Sequence, residues 1–177
     1  MDYERDAALE ENCALLAALK LPRWRELPDL DLYMDQVLAL IGRYLGAYPG
    51  FDGKGLTASM VNNYVKLGAM PAPVKKKYTR AHLAHLVMIC LLKPALPIAF
   101  IRELMASALS NAPEGEVYDR FCDAFEQMNR FAAESALGSA GTDGTALSPL
   151  FQAALLAQAE QALAFRLYTA YFPAESQ

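Results

Sequence analysis

LTASMVNNYVKLGAMPAPVKKKYTRAHLAHLVMICLLKPALPIAFIREL, residues 56–104, is the stretch whose reading decides the fold. Thr57 stands where an N-cap belongs, and Gly68 followed by Pro71 and Pro73 stops the helix that it opens. Within that helix Met60, Val61 and Tyr64 are spaced to face a core, which leaves Ser59, Asn62, Asn63 and Lys66 outward. A small hairpin around Pro71 to Tyr78 then presents Lys75, Lys76 and Lys77, and in an extended hairpin Lys75 and Lys77 share a side. Thr79 caps a further helix through about Lys93, with Leu83, Leu86, Val87, Cys90 and Leu91 on the helical template. Pro94 and Pro97 punctuate, and a helix from about Ile98 to Leu109 follows.

Working outward, residues 6–20 read as a helix bounded by Pro22, and Pro22 and Pro28 bracket a strap that Trp24 anchors onto the core. Asp31 is placed to cap a helix to Leu45, with Met34, Val37, Leu38, Ile41 and Leu45 on one stripe. Gly46, Pro49, Gly50, Gly53 and Gly55 make a loop. Residues 114–137 carry Val117, Phe121, Phe125 and Met128 on a stripe, Gly138 to Ser148 is a loop, and Pro149 to Tyr171 is a last helix. No alternating β-branched run is long enough for a central strand, so the expected fold class is all-α. The helix 32–45 and the helix 57–67 make a helix-turn-helix pair with a short basic wing and a C-terminal helical extension. The expected division is 1–30 as N-terminal helix and strap, 31–109 as the helix-turn-helix module, and 110–177 as a C-terminal helical region for dimerisation or an effector.

Composition narrows the function. The chain has 177 residues, 54% of them hydrophobic, with mean hydropathy +0.12. That suits one domain with a real core and excludes a disordered regulator. Cys13, Cys90 and Cys122 lie far apart with no CxxC, so neither a disulfide framework nor a zinc knuckle is indicated. The longest apolar run, Leu83 to Leu92, falls far short of the ~20 residues that cross a bilayer, and Met1 to Glu11 is acidic and polar. A cytoplasmic protein without membrane, metal or cofactor is expected. Gly50, Gly53 and Gly55 close no phosphate loop, and no nucleophile stands with a base, so no enzyme is expected. His82 and His85 read as surface or boundary residues, and Asp119, Asp123 and Glu126 as an acidic solvated face.

Net charge −4 hides an asymmetry. Residues 1–53 hold 5 basic and 10 acidic side chains, and residues 103–177 hold 3 and 10, whereas residues 54–102 hold 8 basic ones and no acid. Burial of residues 83–101 explains part of the depletion, and an anion-binding surface the rest. In a major groove Asn pairs with an adenine edge, while Lys reaches guanine or phosphate. The candidate DNA-binding set follows. Lys66, Lys75, Lys76, Lys77 and Arg80 neutralise phosphates; Ser59, Asn62 and Asn63 meet base edges; Thr57 sets the helix entry; Tyr78 holds the base of the wing.

Three words, LPRWRELPDLDLYMDQV (21–37), LTASMVNNYVKLGAMPAPVKKKYTRAHLAHLVMICLLK (56–93) and LPIAFI (96–101), resemble the bacterial family known as domain of unknown function 1836, over roughly residues 20–140. That resemblance implies a helix-turn-helix regulator. A more distant likeness is to the MerR-type winged helix. Tyr64 falls on the second Tyr of its recognition helix, Gly68 on the Gly that ends it, Lys76 and Tyr78 on its Arg-x-Tyr pair, and Leu83 and Leu86 on the apolar face beyond. The chain departs from that pattern at Asn62, where the family has Arg, and at Val65, where it has Glu; the wing is shorter and the loop before Thr57 wider. The expected function is sequence-specific binding of double-stranded DNA by a transcriptional regulator, a homodimer through 114–137 that leaves room for a small-molecule effector. The alternative is a non-catalytic helical protein-interaction module that keeps the winged-helix layout without DNA.

Overall fold

The computed structural model describes residues 2–48, 51, 55–139 and 148–172; Pro49, Gly50, Gly53 and Lys54, and residues 140–147 of the second loop, lie outside them. Seven α-helices are described: α1 (Asp2–Ala17), α2 (Met34–Leu45), α3 (Ala58–Lys66), α4 (Arg80–Leu92), α5 (Ile98–Asn111), α6 (Glu114–Ser139) and α7 (Pro149–Tyr171). Among the described residues there is no strand, only two isolated antiparallel bridges, Leu32 with Tyr78 and Val74 with Lys77. The chain is all-α. It divides into two compact units, one of residues 20–124 and one of residues 1–19 with 125–177.

In the unit 20–124, α4 is the central helix. It packs against α2 and α5, and α2 also packs against α3. Every residue from His82 to Ile89 is buried, so α4 is covered on all sides rather than along one stripe. Val37 and Ile41 of α2, Val61 and Tyr64 of α3, Ile101 of α5 and Tyr118 of α6 complete the core. Each fully buried Leu, Ile or Val contributes about 1.5–3 kcal/mol against leaving it in water.

Local chemistry sets the helix ends, with one correction to the sequence reading. Asp31 does not cap α2. The N-cap is Tyr33, whose backbone N–H donates to Gln36 Oε1 at 2.9 Å. The Leu32 bridge holds the chain extended for two residues longer than the Asp suggested, with Leu32 N–H to Tyr78 O at 2.8 Å and Tyr78 N–H to Leu32 O at 2.9 Å.

The strap is anchored by Trp24, as its position predicts. Its backbone N–H donates to Asp119 Oδ1 at 2.7 Å, and its ring meets Tyr118 at 6.4 Å between centroids. A Cβ on Gly115 would lie 2.9 Å from the indole, so only glycine admits the ring there. Arg23 Nη1 reaches the Asp119 carbonyl at 3.2 Å and Asp123 Oδ1 at 3.0 Å. The expected acidic solvated face is corrected in part: Asp119 and Asp123 hold the strap, Asp123 while remaining exposed, and Glu126 is buried.

The two histidines are also corrected. Both are buried, as is every residue of α4 from His82 to Ile89, and Glu114, at the start of α6, brings a carboxylate Oε1 to 2.8 Å from His85 Nε2. That acid is 29 positions from His85 in the chain and invisible to local spacing.

In the other unit Cys13 and Ala133 are buried, while α7 leaves Leu150, Leu163 and Tyr171 largely exposed. No helix among the described residues is long and apolar enough to cross a membrane.

Candidate nucleic-acid interface

α3 is built to be held from one side. Thr57 Oγ1 accepts the Met60 N–H at 3.2 Å and opens the helix. Gly68, at φ +70°, closes it, with Gly68 N–H to Val65 O at 3.0 Å and Ala69 N–H to Tyr64 O at 2.9 Å. This pair of bonds is the Schellman motif, for which a left-handed glycine is the natural residue. Val61 and Tyr64 are buried and burial raises the Tyr64 pKa, while Ser59, Asn62, Asn63 and Lys66 are exposed. At ~100° per residue those four occupy a single arc opposite Val61. Met60 is corrected: it is 39% exposed, because one residue's rotation from Val61 carries it out of the buried sector.

The hairpin is tighter than an extended ribbon. Val74 O accepts the Lys77 N–H at 2.9 Å, and Lys75 and Lys76 between them have φ of +51° and +63°. Positive φ at both central residues is the signature of a type I′ turn, which Asn-Gly ordinarily occupies. The expected alternation of Lys75 and Lys77 along a strand therefore does not apply. Lys75 and Lys76 form the exposed tip, whereas the Lys77 Nζ lies 4.5 Å over the Tyr33 ring.

Two further members of the set are turned to other tasks. Tyr78 is 3% exposed and meets His82 edge-on at 5.4 Å, so its ring packs under the turn. Arg80 donates from Nε to Leu27 O at 3.0 Å, lies 3.5 Å from Asp29 Oδ2, and sits 5.6 Å over the Trp24 ring. Its guanidinium clamps the strap. Beneath the turn, His82 Nδ1 accepts the Thr79 N–H at 3.0 Å, and burial lowers the pKa of both His82 and His85. The His82 imidazole therefore supports the base of the turn.

Sequence reasoning missed one cation. The Arg102 side chain of α5 passes Gly68, its Cδ 3.8 Å from where a Cβ would stand, and so lies against the end of α3. Its membership of the acid-free stretch 54–102 was the available signal. Among the described residues no group of three His, Cys, Asp or Glu side chains is placed to hold a metal ion.

A small all-helical domain that presents a capped helix with an acid-free polar face, followed by a lysine turn, is the class that the fold and site define. The chain belongs to the family described as Domain of unknown function (DUF1836), whose model matches residues 22–127. No curated protein and no solved structure matches the chain.

Proposed function

We propose that the protein is a cytoplasmic, sequence-specific double-stranded DNA-binding transcriptional regulator. In this reading residues 31–109 form a winged-helix-like helix-turn-helix, α3 is the recognition helix and the Lys75–Lys76 turn is the wing. The observation that carries it is the α3 face, on which Ser59, Asn62, Asn63 and Lys66 are exposed together while the opposite side is buried. A groove reader needs such a face, with donors and acceptors outward on a rigid support. The Leu32–Tyr78 bridge supports the wing by tying the base of the lysine turn to the entry of α2. Exposed Met128, Phe131 and Leu137 on α6 support self-association through 114–137, which would space two reading helices about 34–36 Å apart or a multiple of that.

Selection from a random duplex library tests the reading, and an absence of any enriched site would end it. On the enriched site, Lys75→Ala with Lys76→Ala lowers the slope of log K against log salt by about 2 units, since each lysine at the tip meets one phosphate. An unchanged slope removes the wing from the interface. Sedimentation of the chain with and without the site tests the dimer.

One observation favours the second reading, a protein-interaction module. Met60, Leu67 and Val74 are exposed beside the same helix and turn, Val74 at 72%. If these three contact a protein partner rather than thymine methyls, the library yields no site and the Asn62 and Asn63 variants change nothing on duplex DNA.

A further inference from the structure

Between α4, α5 and the start of α6 the unit 20–124 leaves a cavity of about 430 Å³. Met88, Leu104, Met105 and Phe121 line its walls, with Asn111 and Arg120 as its polar residues. Asn111 and Arg120 are both exposed, so they stand at the rim. The volume lies within the range of small-ligand pockets, roughly 300–1,000 Å³. Walls of this kind give water too few partners to hold it well, and two methionine thioethers let them adapt to an apolar guest.

The rim selects the charge of that guest. Arg120 Nη2 pairs with Glu116 Oε1 one turn back on α6. A guanidinium carries five N–H donors, so a second carboxylate has donors to take. Glu116 beside it repels additional negative charge and thus favours a monoanion over a dianion. An uncharged guest would leave the remaining guanidinium donors without a partner from the ligand.

We propose that this cavity is a binding site for a small apolar monocarboxylic acid, its body between Met88 and Met105 and its carboxylate on Arg120. None of these residues belongs to the DNA-binding set, so the site does not rest on the DNA reading.

The test titrates the full chain with decanoate and, separately, with 1-decanol, both below their aggregation limits. It follows the 13C-labelled methionine methyls by NMR. The Met88 and Met105 methyls should move saturably with decanoate while the Met60 methyl on α3 stays still. Arg120→Gln should weaken decanoate at least tenfold and change 1-decanol less than twofold. Ala108→Trp, which fills the cavity from α5, should abolish both shifts; Arg120→Gln keeps the test intact should that variant fail to fold.

Unmoved Met88 and Met105 methyls at saturating decanoate would overturn the site. Equal binding of the two probes, indifferent to Arg120→Gln, would overturn the acid class. A dimer that stays intact in sedimentation at saturating decanoate while the Met88 and Met105 methyls do not move would mean that a second copy covers the cavity, and would overturn the ligand site as well.

Discussion

α3 and α4 come from one acid-free stretch of sequence, each opens on a threonine N-cap, and they do opposite things. α4 has 13 residues and buries eight of them consecutively, His82 to Ile89; α3 has nine and buries only Val61 and Tyr64. The same absence of Asp and Glu therefore has two causes. In α4 a carboxylate would lose its hydration without gaining a partner. On α3 and the lysine turn the surface is solvated, and burial cannot explain why acids are missing there. The contrast moves the functional weight of the charge asymmetry onto Lys66, Lys75 and Lys76, all of them exposed.

Removing bulk from α4 breaks the comparison most severely. Leu86 is fully buried, and Leu86→Ala should cost about 2–5 kcal/mol from lost transfer energy and the cavity left behind. Urea unfolding measures it; a loss below about 1 kcal/mol would mean that α4 is not the packed centre of the unit.

Acid attacks the same helix by another route. Burial lowers the pKa of His82 and His85 from 6.5, although the nearby Glu114 carboxylate opposes the shift in part. Below about pH 6.5 the unfolded chain takes up protons that the folded chain refuses, so stability falls as pH drops from there towards the depressed folded values. Above about pH 7 both states are neutral and these groups contribute no slope. Thermal melts between pH 8 and pH 5 should be flat, then decline, and His85→Gln should make the decline shallower. A melting temperature constant across the range would contradict the burial of both imidazoles.

Which parts of this were legible in the sequence follows from the range of the interactions. Helix positions were, because period and punctuation are local: Thr57, Gly68 and Thr79 mark ends that the structure keeps. The anchoring of Trp24 was also legible, but its partners were not, since Asp119 and Gly115 come from a helix more than 90 residues away. A separation of 29 positions likewise hid Glu114 from His85. At the candidate site, the outward set on α3 could be read from its period, whereas the fates of Tyr78 and Arg80 could not. Alternation placed the lysines on a strand, and nothing in Lys-Lys announces a type I′ turn, which usually takes Asn-Gly.

That turn supplies the next test, where stability and function should part. Two non-glycine residues at positive φ cost roughly 1–2 kcal/mol each. Lys76→Gly removes that cost at one position and Lys75→Asn eases it at the other, so after glycine's chain entropy the variant should gain about 1–2 kcal/mol. It should also lose two phosphate contacts and lower the salt slope by about 2 units on DNA. A lower melting temperature would refute the strained turn. A higher one with full DNA affinity would leave the lysines without a role in binding.

The smallest change in stability belongs to the asparagines of α3, and it sharpens the comparison furthest. Asn62 and Asn63 are both exposed and adjacent, so on the helix they point about 100° apart and meet different positions in a groove. Ala in place of either should alter stability by no more than about 0.5 kcal/mol, in contrast to Leu86→Ala on α4. Ala is also the better helix former, which pushes any change towards stabilisation. A bidentate pair with an adenine edge is worth about 1–3 kcal/mol of discrimination at one base pair. At least one of the two variants should therefore lose affinity for the selected site while keeping its weaker binding to a scrambled duplex at the same salt. Unaltered melting excludes lost folding as the cause, and retained non-specific binding excludes lost charge. If both variants keep the full ratio of specific to non-specific affinity, α3 is a support for the lysine turn and not a reader. The exposed Met60, Leu67 and Val74 would then carry the recognition, and of a protein rather than of DNA.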